Sequence, residues 1–190
     1  MFELKYKTPV VWADAIAQAI DEFLPDHAAA EKKASSMAMT MVAHYPDKPE
    51  LVNAMIDLAL EELQHFKAVV GLMNERGLTL RPDEKDPYVN ALRKLSRHGE
   101  PEYLMDRLLI GGIVEARGAE RFGLIADALP SGSLKRFYDS ITRSEMNHRG
   151  LFIQLAELYC DKDVVTKRLD VLLTEEAKII SQLPLRLSLH

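Results

Sequence analysis

The chain of 190 residues is long enough for a substantial buried core, and we predict a single domain over residues 1–190. Its formal net charge of −5 argues against a protein coated in basic residues, and its single cysteine, Cys160, excludes an internal disulfide. No apolar run approaches the length of a membrane span and the N-terminus lacks the pattern of a signal peptide, so we predict a cytoplasmic protein that does not enter a membrane.

Good helix-forming residues dominate the sequence, and their periodicity predicts five main helices. The first runs from about Pro9 to Tyr45, and we expect Pro25 to kink or interrupt it. The second runs from Lys48 to about Arg76. Asp47 and Glu50 resemble a capping box, in which the two side chains accept hydrogen bonds from free backbone amides at the start of this helix.

A different kind of segment separates these two helices from the next two. Gly77 is expected to end the second helix, and residues 78–99 form a polar crossover that contains a short helix near its end. After Pro101 a third helix runs to about Leu129. A fourth helix then runs to Cys160, and a C-terminal helix covers about residues 163–181.

The lengths of the connections predict the topology. Short links make the first and second helices, and likewise the third and fourth, antiparallel hairpins. The crossover of roughly twenty residues is much longer than the usual connection of about 4–6 residues, and it can cross the length of a helix. Two antiparallel hairpins joined by a long crossover, followed by a C-terminal helix, predict an all-α, ferritin-like four-helix bundle.

Two Glu-x-x-His pairs are the most informative feature of the sequence. Each pair falls near the middle of a predicted helix, and another mid-helix glutamate precedes each pair at a nearly equal distance along the chain. Two glutamates and two Glu-x-x-His pairs on four helices are the ligand set of di-iron and di-manganese bundles. The predicted metal ligands are Glu31, Glu62, His65, Glu115, Glu145 and His148.

The helical register favours metal binding over a chance occurrence of the motif. In each helix the candidate ligands share one stripe with apolar residues spaced four and three apart, which is the stripe that faces the core. Four buried carboxylates need compensating cations, and two divalent ions supply four positive charges. Oxygen and imidazole donors without a thiolate favour iron or manganese. The alternative is a metal-free helical interaction module.

Several neighbouring residues allow more than one interpretation. Glu61 competes with Glu62 as a ligand but lies off the core-facing stripe, which favours a solvated role. His27 lies one turn before Glu31, so it is either a hydrogen-bond partner of a ligand or a core histidine. The small residues beside Glu115, which would leave room for dioxygen or substrate, are Gly111, Gly112 and Gly118.

The candidate ligands lie in four segments whose sequences are HAAAEKKAS, ALEELQHF, IVEARGAERF and ITRSEMNHRGLF. With these segments the chain resembles, over essentially its whole length, the MiaE family of bacterial tRNA hydroxylases. The resemblance implies a non-haem di-iron monooxygenase that hydroxylates the isopentenyl group of 2-methylthio-N6-isopentenyladenosine in tRNA. It implies two iron ions, dioxygen as co-substrate, and two electrons from a donor such as a ferredoxin or a reductase.

The resemblance also implies a role for each ligand, and it implies no catalytic residue beyond them. By position, the terminal carboxylates would be Glu31 and Glu115, the bridging carboxylates Glu62 and Glu145, and the capping imidazoles His65 and His148. The same six-residue pattern occurs in other ferritin-like proteins. The alternative functions are therefore a ferroxidase or iron-storage protein, a manganese catalase, or an oxygenase of small substrates.

A tRNA substrate requires a basic docking surface. The densest basic cluster of the sequence lies in the crossover, where Arg93, Lys94 and Arg97 are the candidate RNA contacts. An ordinary solvated surface is the competing interpretation of this cluster.

Overall fold

Helix is the only regular secondary structure in residues 2–190, the part of the chain that the computed structural model describes. The helices are α1 (Val10–Gln18), α2 (Ile20–His44), α3 (Pro49–Glu75), α4 (Pro87–Arg93), α5 (Glu102–Ala128), α6 (Ser133–Tyr159) and α7 (Lys162–Gln182). Among these seven, none combines the length and the apolar composition that crossing a membrane requires.

One compact unit consists of residues 18–84 and 187–189 and is built on α2 and α3. The two helices pack along each other, and a link of only four residues makes them an antiparallel hairpin. At the end of α3, Gly77 has a positive φ of 69°, and the amide of Leu78 donates to the carbonyl of Met73 at 2.9 Å. This is a Schellman motif, and it confirms the prediction that Gly77 ends the helix.

Two predicted details of this part of the chain are wrong, namely an interruption at Pro25 and the capping box, whereas a kink at Pro25 stays a prediction. The first predicted helix is interrupted at Ala19 (φ −124°, ψ 39°), whereas Pro25 lies inside α2 without ending it. Pro25 is the sixth residue of α2, and its missing amide removes a single intrahelical hydrogen bond, which does not end the helix. The capping box also fails, because Lys48 is the N-cap residue and makes no side-chain cap bond. Pro49 then fixes the first helical turn instead.

The other compact unit consists of residues 2–17, 85–186 and 190. Within it, α5 and α6 form a second antiparallel hairpin, and α5 also contacts α4 and α7. Aspartate side chains cap the two flanking helices: Asp86 accepts from the amide of Val89 at the start of α4, and Asp161 accepts from two amides at the start of α7. The prediction of one domain over residues 1–190 stays a prediction.

The helix α5 is buried on most of its faces, because three helices of its own unit pack around it. Its buried residues include the charged side chains of Asp106, Glu115, Arg117 and Arg121. Buried charges need partners, so each of them marks either a structural ion pair or a functional site.

Candidate metal centre

The hairpin of α2 and α3 carries a triad of two carboxylates and one imidazole. Glu31 comes from α2, whereas Glu62 and His65 come from α3. His65 Nδ1 lies 3.5 Å from Glu62 Oε2 and 3.8 Å from Glu31 Oε2. One ligand atom of each residue lies within 4.8 Å of the others, so the three side chains are placed to share a metal ion.

The hairpin of α5 and α6 carries a second triad of the same composition. Glu115 comes from α5, whereas Glu145 and His148 come from α6, and all three are buried. His148 Nδ1 lies 3.9 Å from Glu115 Oε2, and the three ligand atoms again lie within 4.8 Å of one another. The sequence motif therefore recurs as the same local arrangement in both helix pairs.

The helix period explains why each Glu-x-x-His pair converges. Residues three apart on a helix are neighbours on one face, so the carboxylate and the imidazole project together. The period also separates Glu62 from its neighbour: Glu62 is 1% exposed, whereas the side chain of Glu61 is 49% exposed. The prediction that Glu61 lies on the solvated side is confirmed.

The carboxylates of the first triad change the proton affinities of its members. Burial lowers the pKa of His65, but the charges and hydrogen-bonding oxygens of Glu31 and Glu62 outweigh it and raise the pKa to about 10. Burial raises the pKa of Glu31, but the imidazoles of His27 and His65 outweigh it and hold the pKa well below its usual range. A proton on His65 thus supplies positive charge beside the carboxylates, and a metal ion bound to the same nitrogen would displace that proton.

His27 belongs to this environment and is not merely a core histidine. Its side chain is fully buried, and Nε2 lies 2.6 Å from Glu31 Oε1. Of the two interpretations that the sequence left open, the structure favours the hydrogen-bond partner of a candidate ligand.

The small residues near Glu115 do not leave empty space. A methyl group added at Gly111 would lie 2.8 Å from the ring of Phe152, and one added at Gly112 would lie 3.3 Å from the same side chain. At Gly118 the nearest atom would be Glu145 Oε2, at 3.5 Å. The expectation that the glycines make room for dioxygen or substrate is wrong at Gly111 and Gly112, where Phe152 occupies the space, and at Gly118 it stays a prediction.

The three candidate RNA contacts have different environments. Arg93 and Lys94 are exposed at the end of α4. Arg97 donates to both carboxylate oxygens of Asp106, at 3.0 and 2.8 Å, and Arg168 donates to the same two oxygens at 2.9 and 2.8 Å. Arg97 therefore has a structural role in holding the crossover to α5, whereas contact of the cluster with RNA stays a prediction.

The paired arginines also affect Asp106 itself. Burial raises its pKa, but the hydrogen bonds from Arg97 and Arg168 outweigh burial and lower the pKa below its usual range. The carboxylate is therefore ionised at neutral pH despite its complete burial.

Sequence reasoning missed a buried ionic cluster on the other side of α5. Arg117 is fully buried, and its guanidinium donates to Glu176 Oε1 at 3.0 and 2.7 Å. The remaining partners complete what we call the Arg117 network, whose members are Tyr6, Thr8, Tyr88, Arg117, Glu120 and Glu176. The sequence contained one signal of this cluster. Arg117 follows Glu115 by two positions, or about 200° around a helix, so it lies on the opposite face of α5.

Comparison with known proteins identifies the family. The family model described as tRNA-(MS[2]IO[6]A)-hydroxylase (MiaE) matches residues 2–190. The chain belongs to the MiaE family. The resemblance that the four ligand-bearing segments suggested is thereby confirmed.

Two curated relatives of the MiaE family carry the name tRNA 2-(methylsulfanyl)-N(6)-isopentenyladenosine(37) hydroxylase. The protein of Pseudomonas putida (strain KT2440) is 35% identical over 183 residues, which cover 96% of this chain and 89% of that protein. The protein of Salmonella typhimurium (strain LT2) is 34% identical over 140 residues, which cover 74% of this chain and 51% of that protein.

A solved structure supports the fold of this MiaE family member. It is described as protein 43 with aldehyde deformylating oxygenase activity from Synechococcus, and it matches with a TM-score of 0.92 at 34% identity. The match covers 98% of this chain and 93% of the other. The predicted all-α, ferritin-like fold is confirmed.

Proposed function

We propose that the chain is a non-haem di-iron monooxygenase that hydroxylates the isopentenyl group of 2-methylthio-N6-isopentenyladenosine in tRNA. The observation that carries the proposal is the pair of Glu–Glu–His triads, in which every residue except His65 is buried, in a chain that matches the MiaE family over residues 2–190. The names of the two curated relatives supply the substrate class.

The donor chemistry of the two triads fits two divalent metal ions. Together they offer four carboxylates and two imidazoles, and no thiolate. Two dications would offset the four carboxylate charges, and hard oxygen donors with imidazole suit iron. In the proposed assignment Glu31 and Glu115 would be terminal ligands, Glu62 and Glu145 would be bridging ligands, and His65 and His148 would be capping ligands.

Bound iron would supply the activation of dioxygen, and the residues of the chain supply the surroundings that this chemistry needs. Five of the six ligands are buried, so bulk water is largely kept from the metal positions. The side chain of His65 is the most exposed of the set, at 14%. Because carboxylate neighbours stabilise its proton, His65 must release that proton before its nitrogen can bind a metal ion.

The stoichiometry of the reaction identifies the partners that the enzyme needs. One atom of dioxygen enters a carbon–hydrogen bond and the other leaves as water, which consumes two electrons and two protons. A ferredoxin or a reductase would supply the electrons. A tRNA substrate supports a cytoplasmic location as part of the proposal, and the exposed Arg93 and Lys94 are candidates for contact with its phosphates.

A single-turnover assay tests the proposal. The metal-free chain is loaded anaerobically with ferrous iron, and is then mixed with dioxygen, a reductant and tRNA that carries the thiomethylated isopentenyl base. Nucleoside mass spectrometry is expected to show a product with one additional oxygen atom. Glu115→Ala should give no product while RNA binding is retained. Glu157→Ala, which removes a carboxylate that is 33% exposed and pairs with Lys162, should react like the wild type.

The competing functions give different outcomes. An iron-loaded wild-type chain that leaves the nucleoside unchanged would exclude the tRNA reaction. Conversion of an aldehyde in its place would point to the activity named for the Synechococcus structure. Rapid tRNA-independent oxidation and retention of iron would indicate a ferroxidase, and manganese-dependent breakdown of peroxide would indicate a catalase.

A further inference from the structure

His27, one turn before Glu31 in α2, is placed to form a hydrogen bond with this candidate metal ligand. His27 is fully buried, and its Nε2 lies 2.6 Å from Glu31 Oε1. The ring of Phe23 lies beside the imidazole, with the ring centroids 5.8 Å apart. Packing and the hydrogen bond together fix the position of the imidazole.

The two oxygens of the Glu31 carboxylate have different neighbours: Oε1 lies next to His27, and Oε2 lies nearer to His65. An ionised carboxylate only accepts hydrogen bonds, so His27 Nε2 carries the hydrogen and donates it to Oε1. The other oxygen, Oε2, is the one that lies 3.8 Å from His65 Nδ1. Oε2 is therefore the oxygen nearest to the triad imidazole, whereas Oε1 is engaged by His27.

The second triad has no such donor at the corresponding position. One turn before Glu115 the chain has Gly111, and the ring of Phe152 fills the space beside it. The two helix pairs supply the same ligand types, but only the pair of α2 and α3 has a histidine in this position to orient its terminal carboxylate.

We propose that His27 is a positioning residue, which holds Glu31 as a ligand through one oxygen and thereby strengthens one of the two metal positions. The inference rests on the proposed function only in requiring that the triads bind metal. Groups that orient a metal ligand contribute about 10- to 100-fold in metal affinity or activity when they are removed. Because the effect passes through Glu31, it should appear in one binding step and not in both.

Two nearly isosteric variants isolate the hydrogen bond. His27→Gln keeps an N–H donor, whereas His27→Met has a similar size and no donor. Titration of the metal-free protein with cobalt(II), followed by visible absorption, is expected to show two binding steps in the wild type. His27→Met should weaken one step by about 10- to 100-fold, and His27→Gln should recover most of that loss.

A double-mutant cycle shows whether the effect passes through Glu31. In a Glu31→Gln background, His27→Met should change the remaining cobalt affinity by less than about twofold. In a Glu115→Gln background it should keep its full effect. Equal effects in the two backgrounds, or equal losses in both binding steps, would mean that His27 is merely structural and would overturn the inference.

Two further results separate this inference from the proposed function. A wild-type chain that binds no cobalt and no iron would contradict the proposed function itself. If the wild type binds two ions and His27→Met matches it in both steps, only the inference fails. In the zinc-loaded wild type, nitrogen-15 NMR should place the hydrogen of His27 on Nε2, and a hydrogen on Nδ1 alone would also overturn it.

Discussion

Replacing Glu176 by glutamine removes one charge from the centre of the Arg117 network and preserves the size of the side chain. Glu176 is fully buried, and its Oε1 accepts from Tyr88 Oη at 2.9 Å and twice from the Arg117 guanidinium. The amide oxygen of glutamine can still accept these bonds. However, the buried guanidinium then has Glu120 as its only carboxylate partner in the network.

The structure sets the size of the expected effect. Removing one partner of a buried ion pair costs about 3–5 kcal/mol, and the remaining Glu120 places Glu176→Gln at the lower end, about 3 kcal/mol. In a chain of this length, 1 kcal/mol corresponds to about 2–4 °C in melting temperature, so we expect a fall of about 6–12 °C. The neighbouring Glu175 is the matched control: it is 39% exposed and pairs with Lys178 at the surface. Such a pair contributes about 0–1 kcal/mol.

Thermal unfolding followed by circular dichroism gives the melting temperatures of Glu176→Gln and of the control Glu175→Gln, each without metal and with metal loaded. Arg117 and Glu115 lie on opposite faces of α5, so Glu176→Gln should bind the same number of metal ions as the wild type. If Glu176→Gln and Glu175→Gln melt at the same temperature, the buried network does not stabilise the fold and the reasoning is refuted.

Three further changes test other parts of the structure. Metal analysis after loading should find fewer ions in Glu62→Gln than in the wild type, and an unchanged number in Glu61→Gln. Asp106→Asn should lower the melting temperature at pH 7, and this difference should shrink as the pH falls below about 4. The native pKa of Asp106 is lowered, so its stabilisation exists above the unfolded pKa and is lost as the carboxylate is protonated. Gly111→Ala should destabilise the protein by about 1–3 kcal/mol through overpacking, whereas Gly71→Ala, which meets no atom within 4 Å, should stabilise it by up to about 1 kcal/mol.

The parts of the site that follow from the helix period could be predicted from the sequence. A spacing of three residues places Glu62 beside His65 and Glu145 beside His148, whatever the rest of the fold does. Helix ends were predictable where glycine or proline marks them, as at Gly77. The break at Ala19 has no such marker, so it could not be read from the sequence.

Contacts between residues far apart in the sequence could not be predicted from helical periodicity. Arg117 and Glu176 are 59 residues apart, and Arg117 and Thr8 are 109 apart, so only the folded topology brings them together. The role of His27 could not be predicted from the sequence for a different reason. A histidine four residues before Glu31 fits either a core position or a hydrogen bond to the ligand, and only the 2.6 Å distance distinguishes the two. The predicted roles of the six ligands and of the basic cluster stay predictions.

The contacts of residues 6–12 with α5 and with Arg186 affect the order in which the chain can fold during synthesis. Residues 18–84 leave the ribosome as one continuous stretch, and the hairpin of α2 and α3 is therefore free to form early. Tyr6, Thr8 and Trp12 are translated before this stretch, but they form hydrogen bonds with Arg117 and with the carbonyl of Arg186, which is 174 residues beyond Trp12. The hydrogen bond from Trp12 can therefore form only after Arg186 has been translated. A nascent chain halted before α7 would already contain Arg117, but it would lack Glu176 and the carbonyl of Arg186, which accept hydrogen bonds from Arg117 and Trp12.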